Sequence, residues 1–139
     1  MIADEVVAAA RRWVGTPYRH RAALRGVGCD CIGLVRGVWR EVVGDEPTLP
    51  PYRADWRDGA HSAELRALAE RWLVPGALAP GAVLLFRIGA AMAPRHCGIF
   101  VGRGRFVHAQ ERLGVVEGNL TDGWARRVVA TYAFPEGVS

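Results

Sequence analysis

The chain has 139 residues, half of them apolar, and a formal net charge of +4. This length and composition predict a single globular domain over residues 1–139 and exclude an intrinsically disordered chain. No apolar run approaches the roughly 20 residues of a spanning helix, so we expect no membrane insertion. All 18 basic residues are Arg, which excludes Schiff-base catalysis and a P-loop lysine. Because the Arg residues are spread along the chain, they favour a solvated surface and no nucleic-acid partner.

The three cysteines indicate free thiols. Their number is odd, and Cys29 and Cys31 are too close in sequence for an ordinary structural disulfide. Free thiols favour synthesis in a reducing compartment. Asp4 and Glu5 occupy the region where a classical signal peptide would be basic. We therefore expect a protein made in the cytoplasm without a classical signal peptide.

Hydrophobic periodicity predicts helices in the first half of the chain. Helical spacing covers three stretches: residues 2–14, 30–43 and 62–74. Gly44 ends the second helix, and Ser62 can cap the third. Polar stretches that contain Gly or Pro predict loops at 19–28 and 45–59.

Short β-rich runs predict strands in the second half of the chain. They cover residues 82–88, 96–101, 105–110, 114–117 and 128–134. Helices followed by strands indicate an α+β fold with an antiparallel sheet. Trp13, Trp39 and Trp72 lie within apolar helical patterns and are expected in the core, whereas the positions of Trp56 and Trp124 stay open.

Cys31 falls in the first turn of the second predicted helix. Unpaired backbone N–H groups and the helix dipole favour negative charge at that position, and they therefore stabilise a thiolate. Asp30 can cap the helix, and Gly33 would leave open space above the sulfur for a substrate. These features predict a nucleophilic cysteine, with a buried structural cysteine as the alternative.

Two histidines lie on one predicted hairpin. With Arg103 at the centre of a three-residue loop, position 98 faces 108 and position 96 faces 110. His96 and His108 then become diagonal neighbours on one face of the hairpin. Gln110 would lie directly opposite His96. A two-residue loop would shift the register and break this pairing, so the predicted histidine pair depends on the loop length.

Five separate motifs follow one another along the chain. They are Tyr18 after Gly15-Thr16-Pro17, Asp-Cys-x-Gly-Leu-Val at 30–35, Pro-Gly-x-x-Leu-Leu-Phe at 80–86, His-x-Gly-Ile-x-Val-Gly at 96–102 and Phe-Val-His-Ala at 106–109. In order and spacing they resemble the NlpC/P60 cysteine peptidases over about residues 2–109, and the string 28–40 looks most like the branch encoded by tailed phages and gene-transfer agents. The resemblance implies a papain-like fold, in which a helix carrying the cysteine packs against an antiparallel sheet carrying the histidines.

The resemblance also implies roles for individual residues. By matching position, Cys31 is the nucleophile, His96 is the general base and acid, and His108 orients His96. Tyr18 and Asp30 match positions that help to hold the substrate in relatives. No cofactor is implied.

The implied activity is that of a cysteine endopeptidase that cuts the peptidoglycan stem peptide, usually between D-glutamate and the diamino acid. Ile32 departs from the family pattern, which usually has a small polar residue at this position. The phage-like string further implies a component near the tip of a tail or baseplate. Hub proteins of a virion or gene-transfer-agent particle would then be its partners, and the particle would carry it to the cell wall.

Two other functions are alternatives to the peptidase. A zinc site built from Cys29, Cys31, His96 and Cys97 has suitable ligand types, but Cys-x-Cys is an unusual spacing for zinc. His96 and Cys97 would also face opposite sides of a strand. We therefore expect Cys97 to be a packing residue, and for Cys29 we favour packing over the alternatives of lining the site or forming a disulfide with Cys31. The second alternative is a non-catalytic structural or wall-binding tail module.

Overall fold

The computed structural model describes residues 2–46, 63–88 and 94–135. Within these ranges the chain forms four helices: α1 (Ile2–Arg12), α2 (Cys31–Val42), α3 (Ala63–Trp72) and α4 (Asp122–Ala125). The strands of the same ranges are β1 (Ala23–Leu24), β2 (Gly28–Cys29), β3 (Val74–Pro75), β4 (Val83–Arg87), β5 (Pro94–Gly102), β6 (Arg105–Gln110), β7 (Gly114–Asn119) and β8 (Val128–Ala133). No helix in the described part of the chain is long and apolar enough to span a membrane.

One antiparallel sheet organises the fold. Its strand order is β3-β8-β4-β5-β6-β7, and β1 pairs separately with β2. The main core lies between one face of this sheet and the first three helices, with Val83 and Leu85 pointing into it. Leu84 and Phe86 alternate to the other face, where Trp124 packs against them. This arrangement confirms the predicted α+β fold with helices on an antiparallel sheet.

The apolar stripe of α2 buries this helix against α1 and the sheet. The close approach of the two helices requires Gly37, because an added Cβ there would lie 2.0 Å from the ring of Trp13. The indole Nε1–H of Trp13 donates to Oε2 of Glu41 at 2.7 Å, so its polar atom is satisfied. Trp39 and Trp72 meet edge to face at 5.3 Å between centroids. All three tryptophans are buried, as predicted.

The helix boundaries differ from the predictions for local reasons. Asp30 and Val43 cap α2, within one residue of the predicted ends. α1 ends at Arg12 rather than at residue 14, because the next two N–H groups bond to carbonyls three residues back and tighten the last turn. α3 ends at Trp72 rather than at residue 74. Pro75 disfavours helical backbone at the preceding residue, which instead begins β3.

Three further short elements were not predicted. β1 and the first residue of β2 lie in the range 19–28, which was predicted as a loop, and the two strands pair Ala23 with Cys29. The four-residue helix α4 begins after Thr121, whose side chain accepts the N–H of Trp124. The predicted cap at Ser62, the loop at 47–59 and the position of Trp56 concern residues outside those that the structure describes.

Candidate active site

Asp30 fixes the start of α2, the helix whose first residue is Cys31. Its side chain is 0% exposed and accepts two backbone hydrogen bonds of 2.7 Å, from the N–H of Gly33 to Oδ1 and from the N–H of Arg21 to Oδ2. The first bond is an N-cap bond. The second ties the segment before β1 to the helix, and Nδ1 of His20 lies 3.7 Å from the same Oδ2. The carboxylate therefore joins two segments of chain beside the candidate nucleophile.

Gly33 does not leave open space for a substrate, and this expectation was wrong. A Cβ built on Gly33 would lie 1.8 Å from the carbonyl oxygen of Ala22. Position 33 must therefore be a glycine, because the backbone before β1 approaches the helix here and leaves no room for a side chain. The same backbone carbonyl accepts a hydrogen bond from the N–H of Asp30 at 3.4 Å.

His96 and His108 form a buried pair on the hairpin of β5 and β6. Nε2 of His96 lies 2.9 Å from Nδ1 of His108, a hydrogen-bond distance. Both side chains are almost fully buried. The predicted contact between these two histidines is therefore confirmed.

The hairpin reaches the predicted register by a different turn. Ile99 faces Val107, which is the predicted register, but Gly102 faces Arg105 across a two-residue turn. The turn residues, Arg103 and Gly104, both have positive φ, 54° and 68°, as type I′ turns require. The three-residue loop was therefore wrong. An irregularity between Phe100 and Gly102 restores the register, because an extra residue in one strand shifts its pairing by one.

Burial keeps His108 neutral and leaves it dependent on its hydrogen-bond partners. Loss of solvation lowers its pKa from the ordinary 6.5 to about 4. A neutral imidazole has one donor and one acceptor nitrogen. Its Nδ1 meets His96, and its Nε2 lies 3.1 Å from Nε2 of Gln110. The ring is thus held at both nitrogens.

The start of α2 lies against the sheet at Cys97, on the face of β5 opposite to that of His96. The thiol of Cys97, the following residue of β5, donates to the carbonyl oxygen of Cys31 at 3.3 Å. Backbone bonds also connect the start of β7 to the segment before α2. Val115 N–H donates to the carbonyl of Thr16, and Cys29 N–H donates to that of Pro17. These contacts bring the helix start and the β6–β7 turn to the same end of the sheet.

Two of the three thiols have raised pKa values. Burial, together with the neighbouring acidic groups, raises the pKa of Cys29 to about 12. A hydrogen bond with Cys31 and burial raise the pKa of Cys97 well above its ordinary value. Both are neutral thiols at neutral pH and poor nucleophiles. Both are buried, as expected of packing residues. Cys31 is the first residue of α2.

Trp124 is a site residue that the sequence did not reveal. Its ring centroid lies 5.8 Å from that of His96 and 5.2 Å from that of His108, and the guanidinium of Arg127 lies over its ring. It also contributes to an open groove beside His96 and Gln110. The only local signal was the capping sequence Thr-Asp-Gly-Trp at 121–124, which marks a helix start but no contact with the histidines.

Tyr18 and Ile32 flank the helix start in different ways. Tyr18 forms a bridge with Cys29, two residues before Cys31, and packs partly buried against the core. Ile32 is buried and borders an apolar cavity together with Leu65 of α3 and Cys97. Its departure from the family pattern thus fits an apolar contact with α3.

The geometry counts against the zinc alternative. His96 and Cys97 alternate on β5, and Cys97 belongs to the core on the helix side of the sheet. Among the described residues, which include all four proposed ligands, no group of three or more His, Cys, Asp or Glu could hold a metal ion.

Comparison with known proteins gives matches over most of the chain. The NlpC/P60 family model matches residues 15–132. Murein DD-endopeptidase MepS/Murein LD-carboxypeptidase of Escherichia coli (strain K12) is 32% identical over 116 residues, 83% of this chain and 54% of that protein. Gamma-DL-glutamyl hydrolase of Bacillus subtilis (strain 168) is 28% identical over 130 residues, 93% of this chain and 29% of that protein.

Solved structures match the fold as well. The NlpC/p60 domain of peptidoglycan hydrolase SagA has a TM-score of 0.59 at 22% identity, with 96% of this chain and 97% of that chain covered. The chain therefore spans about half or less of these two curated relatives and nearly the whole of this solved domain.

Proposed function

Because the chain belongs to the NlpC/P60 family of cysteine peptidases, we propose that it is an endopeptidase that cuts the stem peptide of peptidoglycan. One observation carries the proposal. Nε2 of His96 lies 2.9 Å from Nδ1 of a buried, neutral His108, so a hydrogen bond orients the imidazole of His96. A thiol at a helix start and an oriented imidazole are the two groups that acyl transfer by a cysteine requires.

The proposed roles follow the chemistry of these groups. His96 takes the proton of the Cys31 thiol, and the thiolate attacks the scissile carbonyl carbon. The protonated His96 then gives a proton to the leaving amine as the C–N bond breaks, and a thioester remains. Water, deprotonated by His96, releases the acid and restores the thiol. His108 orients His96 through the bond between Nδ1 and Nε2.

The negative charge of the tetrahedral intermediate needs fixed donors. The backbone N–H of Cys31 is the candidate donor, because N–H groups in the first helical turn have no partner within the helix. Asp30 supports this use indirectly, since its N-cap bond goes to Gly33 and not to Cys31. The helix dipole adds a favourable field at the same position.

The proposed scissile bond joins D-glutamate to the diamino acid. Two relatives, a gamma-DL-glutamyl hydrolase and a murein DD-endopeptidase, support a substrate of this class. The open groove beside His96 and Trp124 supports an extended substrate, because it gives a peptide access to the imidazole.

Mass spectrometry of digested peptidoglycan tests this function. We expect the purified chain to release fragments with a new amino group on the diamino acid and a new carboxyl group on D-glutamate. Sedimentation of the chain with intact peptidoglycan, without any new ends, would instead support the wall-binding module. Cleavage confined to sugar linkages would overturn the peptidase assignment.

We further propose that a phage-like particle delivers this enzyme as a tail-tip or baseplate component. The support is the string 28–40, which resembles that of tailed phages and gene-transfer agents. Particles purified from producing cells are expected to contain the chain by mass spectrometry and to bind an antibody against it at the tail tip. Its absence from purified particles, while it is present in the same cells, would contradict this delivery route and leave the peptidase proposal intact.

A further inference from the structure

We propose that Gln110 is a positioning residue that decides which nitrogen of His108 carries its proton and, through His108, supports both protonation states of His96. The inference rests on the proposed function. It goes beyond that function by extending the cysteine and two histidines to a fourth side chain.

The geometry is a row of three side chains joined by two contacts. Gln110 is the last residue of β6, two positions after His108, so both side chains lie on one face of the strand. Nε2 of Gln110 is 3.1 Å from Nε2 of His108, and Nδ1 of His108 is 2.9 Å from Nε2 of His96. His108 therefore has a partner at each nitrogen, and the two contacts are coupled through its ring.

The resting arrangement follows from donor and acceptor counts. The amide Nε2 of Gln110 can only donate, so Nε2 of His108 accepts. Because His108 is neutral, its proton is then on Nδ1, which donates to Nε2 of His96. In this state Nε2 of His96 carries a lone pair. A neutral His96 then has its own proton on Nδ1, so it cannot take the thiol proton at that nitrogen in this arrangement.

The state of His96 that takes the thiol proton at Nδ1, and the protonated state that results, both need the opposite direction. An imidazolium has N–H groups at both nitrogens, so its Nε2 must donate to Nδ1 of His108. The single proton of His108 then moves to Nε2, which needs an acceptor. The amide of Gln110 supplies one when its oxygen turns toward His108. A glutamine therefore serves both states, because one planar group carries a donor and an acceptor.

Two substitutions separate these functions. Gln110→Glu keeps the shape but offers only acceptor oxygens when ionised, so it holds the proton of His108 on Nε2. This favours the protonated form of His96 and extends the thiolate–imidazolium pair to higher pH. Gln110→Met keeps the length and removes the hydrogen bond. Arg112→Gln changes the net charge by the same amount as Gln110→Glu, in the same groove, and serves as the charge control.

The charged residues of the neighbouring segments are unchanged in both Gln110 variants. They come from the elements packed against the histidines and from the adjoining turn: Arg87 of β4, Arg95 of β5, Glu111 and Arg112 after β6, Asp122 of α4 and Arg127 after α4. A shift in pH dependence seen in Gln110→Glu and absent in Arg112→Gln is therefore specific to the contact with His108.

The test combines histidine side-chain ¹⁵N NMR with pH–rate profiles of the full chain. In the wild type we expect neutral His108 to be protonated on Nδ1, and in Gln110→Glu on Nε2. We also expect the alkaline limit of kcat/KM to move to higher pH in Gln110→Glu. In Gln110→Met we expect kcat to fall roughly tenfold with little change in KM. Denaturation midpoints of all variants check that each is folded.

The two proposals fail in different ways. The same His108 tautomer in the wild type, Gln110→Glu and Gln110→Met would overturn the role of Gln110, whatever the enzyme does. An equal shift of the alkaline limit in Arg112→Gln would also overturn it. The third outcome is a His108 tautomer that differs between the wild type and Gln110→Glu although the wild type does not cleave peptidoglycan. That outcome would refute the peptidase proposal and support the role of Gln110.

Discussion

Replacing Cys31 with alanine is expected to slow stem-peptide cleavage by at least about 10³-fold. The variant lacks the sulfur that would form the thioester, and water is a far weaker nucleophile toward an amide at neutral pH. The loss is measured as new amino groups released from peptidoglycan by equal concentrations of wild type and variant. Undiminished release by Cys31→Ala would remove this residue from the mechanism.

Cys29→Ala is the matched control for this experiment. It removes the same atoms from a buried position two residues earlier in the chain. Because the pKa of Cys29 is raised to about 12, its sulfur is a neutral thiol at the assay pH. We expect this variant to keep most of the activity. An equal loss in both variants would show that disturbed packing, and not the loss of a nucleophile, explains the result of Cys31→Ala.

Much of the fold could be predicted because its signals are local. The range 30–43 carries a broad apolar stripe between a capping Asp30 and Gly44, and the helix observed differs from it by one residue at each end. β6 was predicted with its observed bounds. For the hairpin of β5 and β6, the predicted turn was wrong although the predicted register was right. A two-residue turn with a bulge and a three-residue loop give the same pairing here, and the local sequence does not separate them.

In the candidate site, too, the residues with local sequence signals could be predicted and those that depend on distant contacts could not. Cys31 could be identified from the sequence because it follows a capping residue at a predicted helix start. His96 and His108 could be identified because side-chain alternation puts them on one face of a predicted hairpin. The roles of Gly33 and Trp124 depend on residues distant in sequence. Gly33 meets the backbone of Ala22, and Trp124 reaches the histidines only because α4 folds back over the second face of the sheet. Periodicity does not report such contacts.

Replacing Asp30 with alanine is expected to lower the free energy of unfolding by about 3–5 kcal/mol. The change removes two acceptors that take up the N–H groups of Gly33 and Arg21. One loss is that of an N-cap, and the other releases the segment that carries Ala22 over Gly33. Both donors lose a charge-assisted partner. Urea denaturation of wild type and variant measures the difference.

Asp30→Ser divides this loss into its two parts. A serine hydroxyl can accept the N–H of Gly33 as an N-cap, but it is too short to reach Arg21 as well. We expect about half of the destabilisation seen with alanine. Hydrogen exchange locates the remainder, because the amide of Arg21 should lose protection in both variants while that of Gly33 stays protected in the serine variant.

The same variants separate a structural Asp30 from one that holds the substrate. Substrate binding alone predicts a raised KM with an unchanged free energy of unfolding, since only the enzyme–substrate complex would lose a contact. A structural role through the hydrogen bonds to Gly33 and Arg21 instead predicts a lower free energy of unfolding even when no substrate is present. An alanine variant as stable as the wild type, with protected Arg21, would therefore contradict the structural role. In that case the substrate role implied by the family resemblance would account for the buried carboxylate.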